Sequence, residues 1–170
     1  MSERANTLGR RQALLSVGAA VGVAAVTSLS NRAEAAPSQH ERALHLLGPA
    51  LADDALGGWT IESASSVVLG AIPLVMRTPE GARFHVNILR RDPAGPPAIA
   101  ATEAFALYVS NRGDGATATD EAQARGVVVL RDYLARRERE LVAAGIDLPE
   151  VMTLAERGRA FPDGHFSPRA

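Results

Sequence analysis

Four histidines are the side chains of this chain best suited to acid–base or metal chemistry. His40 and His45 lie five residues apart in a segment of helical spacing, so they do not share a helix face as a metal pair would. His85 belongs to an alternating strand pattern, and His165 lies near the C-terminus. A metal-assisted enzyme would need His85 and His40 or His45 to converge with acidic side chains. The spacing predicts no such convergence, and we expect no metal or cofactor. The acidic candidates are Asp53, Asp54, Asp92 and Glu103.

The chain contains no cysteine. This excludes cysteine-ligated iron–sulfur clusters, covalently attached c-type haem, thiolate zinc sites and cysteine nucleophiles, because each requires a thiolate. A serine hydrolase with a G-x-S-x-G turn is also not indicated, since the sequence lacks that motif. Ser65, Ser66 and Ser110 are available as nucleophiles without a motif that supports them. The sequence therefore favours a protein that is not an enzyme.

The segment 111–117, with the sequence NRGDGAT, precedes a predicted helix and could present backbone amides to an anion. Asp114, Asp120 and Glu121 place negative charge at the same point, which repels phosphate. The lysine and the glycine spacing of a phosphate-binding loop are missing. We interpret the segment as a flexible loop that ends in a helix cap.

One polar sheet face is the best candidate for a ligand site. Phe84, Val86 and Ile88 alternate with His85 and Asn87, so the two sets face opposite sides of a strand. Tyr108 occupies the corresponding polar side of a later strand. In a two-layer fold this face is open, and His85, Asn87 and Tyr108 could bind a small ligand there. A merely solvated sheet face is the alternative explanation of the same pattern.

A helix is predicted at the start of the domain, from about Ser38 to Leu47. Ser38 and Glu41 have the spacing of a capping box. Gly48-Pro49 should interrupt the helix, followed by a second turn that ends at Gly57-Gly58.

Alternating and β-branched residues predict strands over 59–63, 66–77, 83–89 and 104–109. The turn at 78–81 joins the second and third of these into a hairpin. Pro73 has no amide donor, so its strand should lie at an edge or carry a bulge. Residues 93–97 form a stiff, proline-rich connection that could also contact a partner protein.

A long helix should begin after Thr117 or Thr119 and stop at Gly145, with a short helical piece over 149–157 and a mobile tail over 158–170. The fold class is therefore α+β: a small antiparallel sheet of three to four strands, with the N-terminal and long C-terminal helices packed on one face. The inward side chains should be Ile61, Ile72, Leu74, Phe84, Val86, Ile88, Phe105, Leu107 and Val109.

The first 35 residues have the pattern of an export signal. Arg10 and Arg11 precede a weakly apolar run over 13–29, and Ala33 and Ala35 provide the small residues that signal peptidase requires. The leader resembles a twin-arginine (Tat) signal peptide, whose motif is Ser/Thr-Arg-Arg-x-Phe-Leu-Lys. Residues 9–15 read GRRQALL, so the arginine pair and Leu14 match.

The resemblance implies export to the periplasm or beyond, with cleavage before Ala36 and a domain over 36–157. The translocon and signal peptidase would be transient partners, and the membrane would be contacted only during export. A general secretory signal and an uncleaved anchor are the alternatives. A net charge of −1 gives no indication of nucleic-acid binding.

Three functions remain open from the sequence. A non-catalytic accessory or partner subunit, exported together with a possibly redox-active protein, is the leading hypothesis, because Tat carries folded cargo and this chain lacks thiolate ligands. The alternative is a small-ligand binding module that uses His85, Asn87 and Tyr108. The metal-assisted enzyme is the third.

Overall fold

A computed structural model describes residues 36–52, 55–110 and 117–162, all of which belong to the compact unit of residues 36–170. The helices and strands follow the order predicted for an α+β protein. They are α1 (Gln39–Ala52), β1 (Thr60–Ala64), β2 (Ile72–Arg77), β3 (Arg83–Arg90), β4 (Ala100–Ala101), β5 (Phe105–Ser110), α2 (Asp120–Ala143) and α3 (Leu154–Ala160).

The sheet has five strands in the order β1-β2-β3-β5-β4, and every pairing is antiparallel. The prediction of three to four strands was therefore too low. The additional strand is β4, in which only Ala100 and Ala101 pair with β5. Two residues that follow a proline-rich segment cannot show the alternation by which strands are recognised in a sequence.

The inner face of the sheet carries the main core, and α1 and α2 pack against it. All nine side chains predicted to face inward belong to this core. They alternate along the strands with residues of the outer face, as the pleat requires. The prediction that these two helices share one face is confirmed.

The helix layout differs from the prediction at α3, which lies on the outer face. Leu154 packs on Leu89, Ala106 and Tyr108, which form a second, smaller apolar cluster together with Ala71. The preceding segment is attached by backbone bonds, since the Met152 amide donates to the Gly70 carbonyl at 2.7 Å. One end of the outer face is thus covered, and α3 continues to Ala160, past the predicted boundary at 157.

α1 is one helix of 14 residues that continues through Gly48-Pro49, where the sequence predicts an interruption. Pro49 has no amide for the His45 carbonyl, and Arg137 of α2 donates to that carbonyl at 2.7 Å instead. The Tyr133 hydroxyl accepts from the Ala50 amide at 3.2 Å and lies 3.3 Å from the Leu46 carbonyl. Side chains of α2 therefore satisfy the backbone groups that the proline leaves without partners.

α2 begins as predicted at the N-cap Thr119, whose hydroxyl accepts from the Ala122 amide at 3.3 Å. Its glycine, Gly126, permits a close approach to the sheet. A Cβ at Gly126 would come within 2.5 Å of the Trp59 ring and 2.6 Å of the Phe84 ring. Those rings meet edge to face, with centroids 6.1 Å apart. Glycine thus lets two aromatic rings fill the space between α2 and the sheet.

β2 is flanked on both sides, so Pro73 does not lie in an edge strand. Nor does β2 carry the predicted bulge, since the register shift belongs to β1, between Ile61 and Ser63 and opposite residues 75–76. The Pro73 carbonyl still accepts from the Ser65 amide at 3.0 Å, just beyond the end of β1. Proline is tolerated here because it lies one residue beyond the last β1–β2 pair, where its missing amide removes only a bond at the end of the ladder.

Candidate ligand-binding site

A cleft of about 200 Å³ lies on the part of the outer face that α3 does not cover. Its polar lining comes from three strands and from the residue after β1. Within the described parts of the chain, no hydrogen bond joins the side chain of His85 or Asn87 to another residue. These groups can therefore bond to a ligand. The polar lining residues are Ser63, Ser65, His85, Asn87 and Ser110, and the apolar ones include Pro73 and Val75.

Cross-strand pairing brings the lining together. His85 lies opposite Val75 of β2 on one side and Ser110 of β5 on the other. One row further along, Asn87 lies between Pro73 and Tyr108. Opposite residues of an antiparallel pair have Cβ atoms about 4.5–5.5 Å apart, so such rows place their side chains side by side.

A bulge in β1 adds a residue to the lining of the cleft that the sequence analysis did not predict. Ile61 pairs with Met76 and Ser63 pairs with Val75, so Glu62 is an extra residue between them. Because of this extra residue, Glu62 and Ser63 both face outward, and Ser63 lines the cleft. Simple alternation from the buried Ile61 would have turned Ser63 inward.

Tyr108 is next to the cleft but belongs to the covered part of the outer face. Its side chain is buried beside Leu154, and its hydroxyl donates to the Pro96 carbonyl at 3.3 Å. Burial, together with the nearby charge of Asp92, raises the pKa of Tyr108. The structure therefore groups His85 and Asn87 in the cleft and places Tyr108 at its border.

A charged cluster lies beside the row of residues that contains His85, at the end of the cleft away from Asn87 and Tyr108. Glu62, turned outward by the bulge, bonds to Arg83 through Nε at 2.6 Å and to Arg77 at 3.1 Å. The hydrogen bond from Arg83, reinforced by Arg77, lowers the pKa of Glu62. Both guanidinium groups remain about half exposed, at 44% and 47% of the side chain.

The covered end of the face is held by α3. Thr153 and Glu156 form a capping box, with the Glu156 carboxylate accepting from the Thr153 amide at 2.9 Å. That bond is the main reason why the pKa of Glu156 is lowered, and Arg90 also pairs with this carboxylate. The ion pair joins α3 to the end of β3, so the border of the cleft is fixed by local bonds.

The other candidate chemistry is dispersed. Among residues 36–52, 55–110 and 117–162, no three histidine or acidic side chains lie close enough to hold a metal ion. His40 and His45 are exposed on α1, which packs on the inner face. Asp53, Asp54, His165 and most of the loop at 111–117 lie outside the described residues, so the predictions for them stay open.

A second concavity, larger and mostly apolar, lies on the helix side of the sheet. It has a volume of about 620 Å³ and is lined by Trp59, Pro79, Val128 and Val129, with charged groups from Glu80 and Arg125. None of the residues singled out in the sequence lines it. It has fewer polar groups that could orient a ligand than the smaller cleft has.

Comparison with protein-family models, with curated proteins and with solved structures finds no match to this chain. In the part of the chain that the structure describes, no helix is long and apolar enough to span a membrane. Any statement about function must therefore be argued from the cleft and from the leader.

Proposed function

We propose that this domain binds a small polar molecule in the cleft around His85 and Asn87. The observation that carries the proposal is the convergence of hydroxyl, amide and imidazole groups in one concave site on a sheet. The sheet backbone is rigid, so it holds these groups in place before a ligand arrives, which lowers the entropic cost of binding.

The size of the cleft limits the ligand. A cavity of about 150 Å³ accommodates benzene, so a site of about 200 Å³ suits roughly six to ten non-hydrogen atoms. Pro73 and Val75 provide an apolar wall, and the polar groups provide direction. A molecule the size of a small hydroxy acid or a pentose fits this description, and a nucleotide does not.

Binding is preferred over catalysis because the strands offer no free backbone amides beside His85 that would stabilise a developing oxyanion. The amides of β3 and β5 beside His85 and Ser110 are engaged in strand pairing. An oxyanion hole needs donors that are free to point at the reacting atom. Ser110 and His85 are neighbours, yet this arrangement supports recognition better than acyl transfer.

The test is a nuclear magnetic resonance screen of the purified protein against small polar compounds. We expect shifts of the His85 ring and the Asn87 side-chain amide. At the same ligand concentration, the Asn87 amide should shift less in His85→Ala, and the His85 ring should shift less in Asn87→Ala. His45→Ala, on the exposed side of α1, is the matched control and should leave binding unchanged. Shifts confined to residues around Trp59 would instead favour the apolar concavity.

The leader supports a second proposal, that the domain is an exported accessory subunit. Arg10 and Arg11 have the twin-arginine pattern, and the chain has no cysteine for a metal cluster of its own. It would then travel folded, alone or with a protein that carries a cofactor. Replacing both arginines by lysine should retain the precursor in the cytoplasm. Recovery of the exported protein as a bare monomer under mild extraction would count against a stable partner.

A further inference from the structure

We infer that the ligand of the outer-face cleft is a small carboxylate, bound with its charged end toward Arg83. This inference rests on the proposed function and assigns a chemical class to the ligand of the same site. It follows from the charges that flank the cleft along the sheet.

The charged cluster at one end of the cleft has an excess positive charge. Among the residues that the structure describes, Arg77 and Arg83 pair with a single carboxylate, that of Glu62, which leaves one unit of positive charge unbalanced within this set. All three side chains lie on the outer face, since their strand neighbours Met76, Phe84 and Ile61 are buried in the inner core. The cluster therefore faces the same side as the cleft.

The distance from this cluster to the cleft is short. Arg83 precedes His85 by two residues on β3, which corresponds to about 7 Å along a strand. Arg77 has the same relation to Val75 on β2, so the two arginines lie side by side, one row from the cleft, on adjacent strands. Coulomb attraction over about 7 Å at the protein surface would favour an anion over a neutral analogue by roughly 3- to 50-fold.

The opposite end of the cleft carries charges of both signs. Asp92 lies close enough to Tyr108 for its charge to act on that hydroxyl, and Arg90 pairs with Glu156 of α3. The apolar cluster under α3 separates these groups from the cleft. The charged cluster around Glu62 is therefore the nearer source of charge, and it orients a ligand that has one anionic group.

The polar lining suits a carboxylate at that end. A carboxylate only accepts hydrogen bonds, and the Ser63 hydroxyl and the His85 ring N–H, which share the row next to Arg83, can donate. The Asn87 amide, further along, can both donate and accept, so it suits a hydroxyl or carbonyl on the rest of the ligand. Donors near Arg83 and mixed groups beyond it match a small hydroxy or keto acid.

The experiment compares acids with their amides, which have the same size and shape but no charge. The probes are lactate against lactamide and benzoate against benzamide, titrated into the purified protein while the His85 ring is followed by nuclear magnetic resonance. We expect the acids to bind roughly 3- to 50-fold more tightly than the amides at low salt, with the difference shrinking as salt is added.

Variants of the charged cluster should move this ratio in opposite directions. Arg83→Gln and Arg77→Gln should bring the acid-to-amide ratio toward one, and Glu62→Gln should raise it because the excess positive charge increases. Arg131→Gln, on α2 and paired with Asp132, is the control and should leave the ratio unchanged. The opposite signs separate an effect of charge from a general loss of folding.

The failures are distinguishable. If the amides bind as tightly as the acids and shift His85 and Asn87, the carboxylate class is wrong and the binding function stands. If no member of either pair shifts the cleft resonances at millimolar concentration, the carboxylate class is overturned, and the binding function is overturned as well only if the wider screen of polar compounds gives no shift. A preference for acids that Arg83→Gln and Arg77→Gln leave intact would overturn the assigned orientation.

Discussion

The two faces of the sheet are built from the same strands with different chemistry. On the inner face β3 presents Phe84, Val86 and Ile88, which are fully buried under helices. On the outer face the same strand presents His85 and Asn87 to a cleft. The pleat assigns alternate residues to packing and to recognition, so the two properties can be changed separately by substitutions one residue apart.

Neighbouring substitutions in β3 give the strongest test of this comparison. Phe84→Ala should cost about 3–5 kcal/mol of unfolding free energy, because it empties the space between Trp59 and α2. His85→Ala should cost less than about 0.5 kcal/mol, since its ring contributes little to the core. Urea denaturation measures both. Similar losses at the two positions would contradict the division between the faces.

Two buried tyrosines provide the next comparison, one on each side of the sheet. Tyr133→Phe should cost about 1–3 kcal/mol, because it removes the buried hydrogen bonds that the hydroxyl makes with the Ala50 amide and the Leu46 carbonyl. Tyr108→Phe removes the bond to the carbonyl of the exposed Pro96 and should cost about 0.5–1.5 kcal/mol. Thermal unfolding of both variants checks the order. An equal or smaller loss for Tyr133→Phe would mean that α1 does not depend on this hydroxyl.

The N-cap residues of α3 and α2 provide a comparison of local helix stability on the two sides of the sheet. Thr153→Ala removes the capping box of the seven-residue α3 and should cost about 1 kcal/mol of helix stability. Hydrogen exchange should then accelerate at the amides of Arg157 and Phe161, which bond within this segment. Thr119→Ala is the control: it removes an equivalent bond from the 24-residue α2, whose central amides should stay protected.

The smallest expected effect is a pH dependence at the charged cluster. The pKa of Glu62 is lower in the folded protein than its ordinary value of 4.5. Its ion pairs therefore stabilise the folded state above that value and lose this contribution as the pH falls below it. Glu62→Gln should reduce the acid-induced loss of stability between neutral pH and pH 3. An unchanged acid profile in this variant would show that the ion pairs contribute nothing measurable.

Structure that depends on nearby residues was predictable from the sequence. The capping box of Ser38 and Glu41 is present, with the Ser38 amide donating to the carboxylate at 2.7 Å. The turn at 78–81 does join two paired strands, and α2 ends before Gly145, whose φ is +69°. Each of these features involves residues at most five apart, so the local sequence contains the full physical cause.

The candidate site was predicted in part. His85 and Asn87 line the cleft because strand alternation alone places them outward. Ser63 was missed, since the bulge at Glu62 reverses the alternation and no residue type in β1 announces it. Tyr108 faces outward as predicted, but it is buried by α3. Because α3 lies some 45 residues further along the chain, no local pattern could show this contact.

The sequence by itself determined the alternation of the strands, the helix caps, the turn between β2 and β3 and which side chains form the inner core. Tertiary structure alone decided that α1 continues through Pro49, that α3 covers one end of the outer face, and that the other end remains a cleft. The reason is that these outcomes depend on hydrogen bonds and apolar contacts between residues remote in the chain. The carbonyl that Pro49 leaves without a donor finds one in Arg137, 92 residues away from His45.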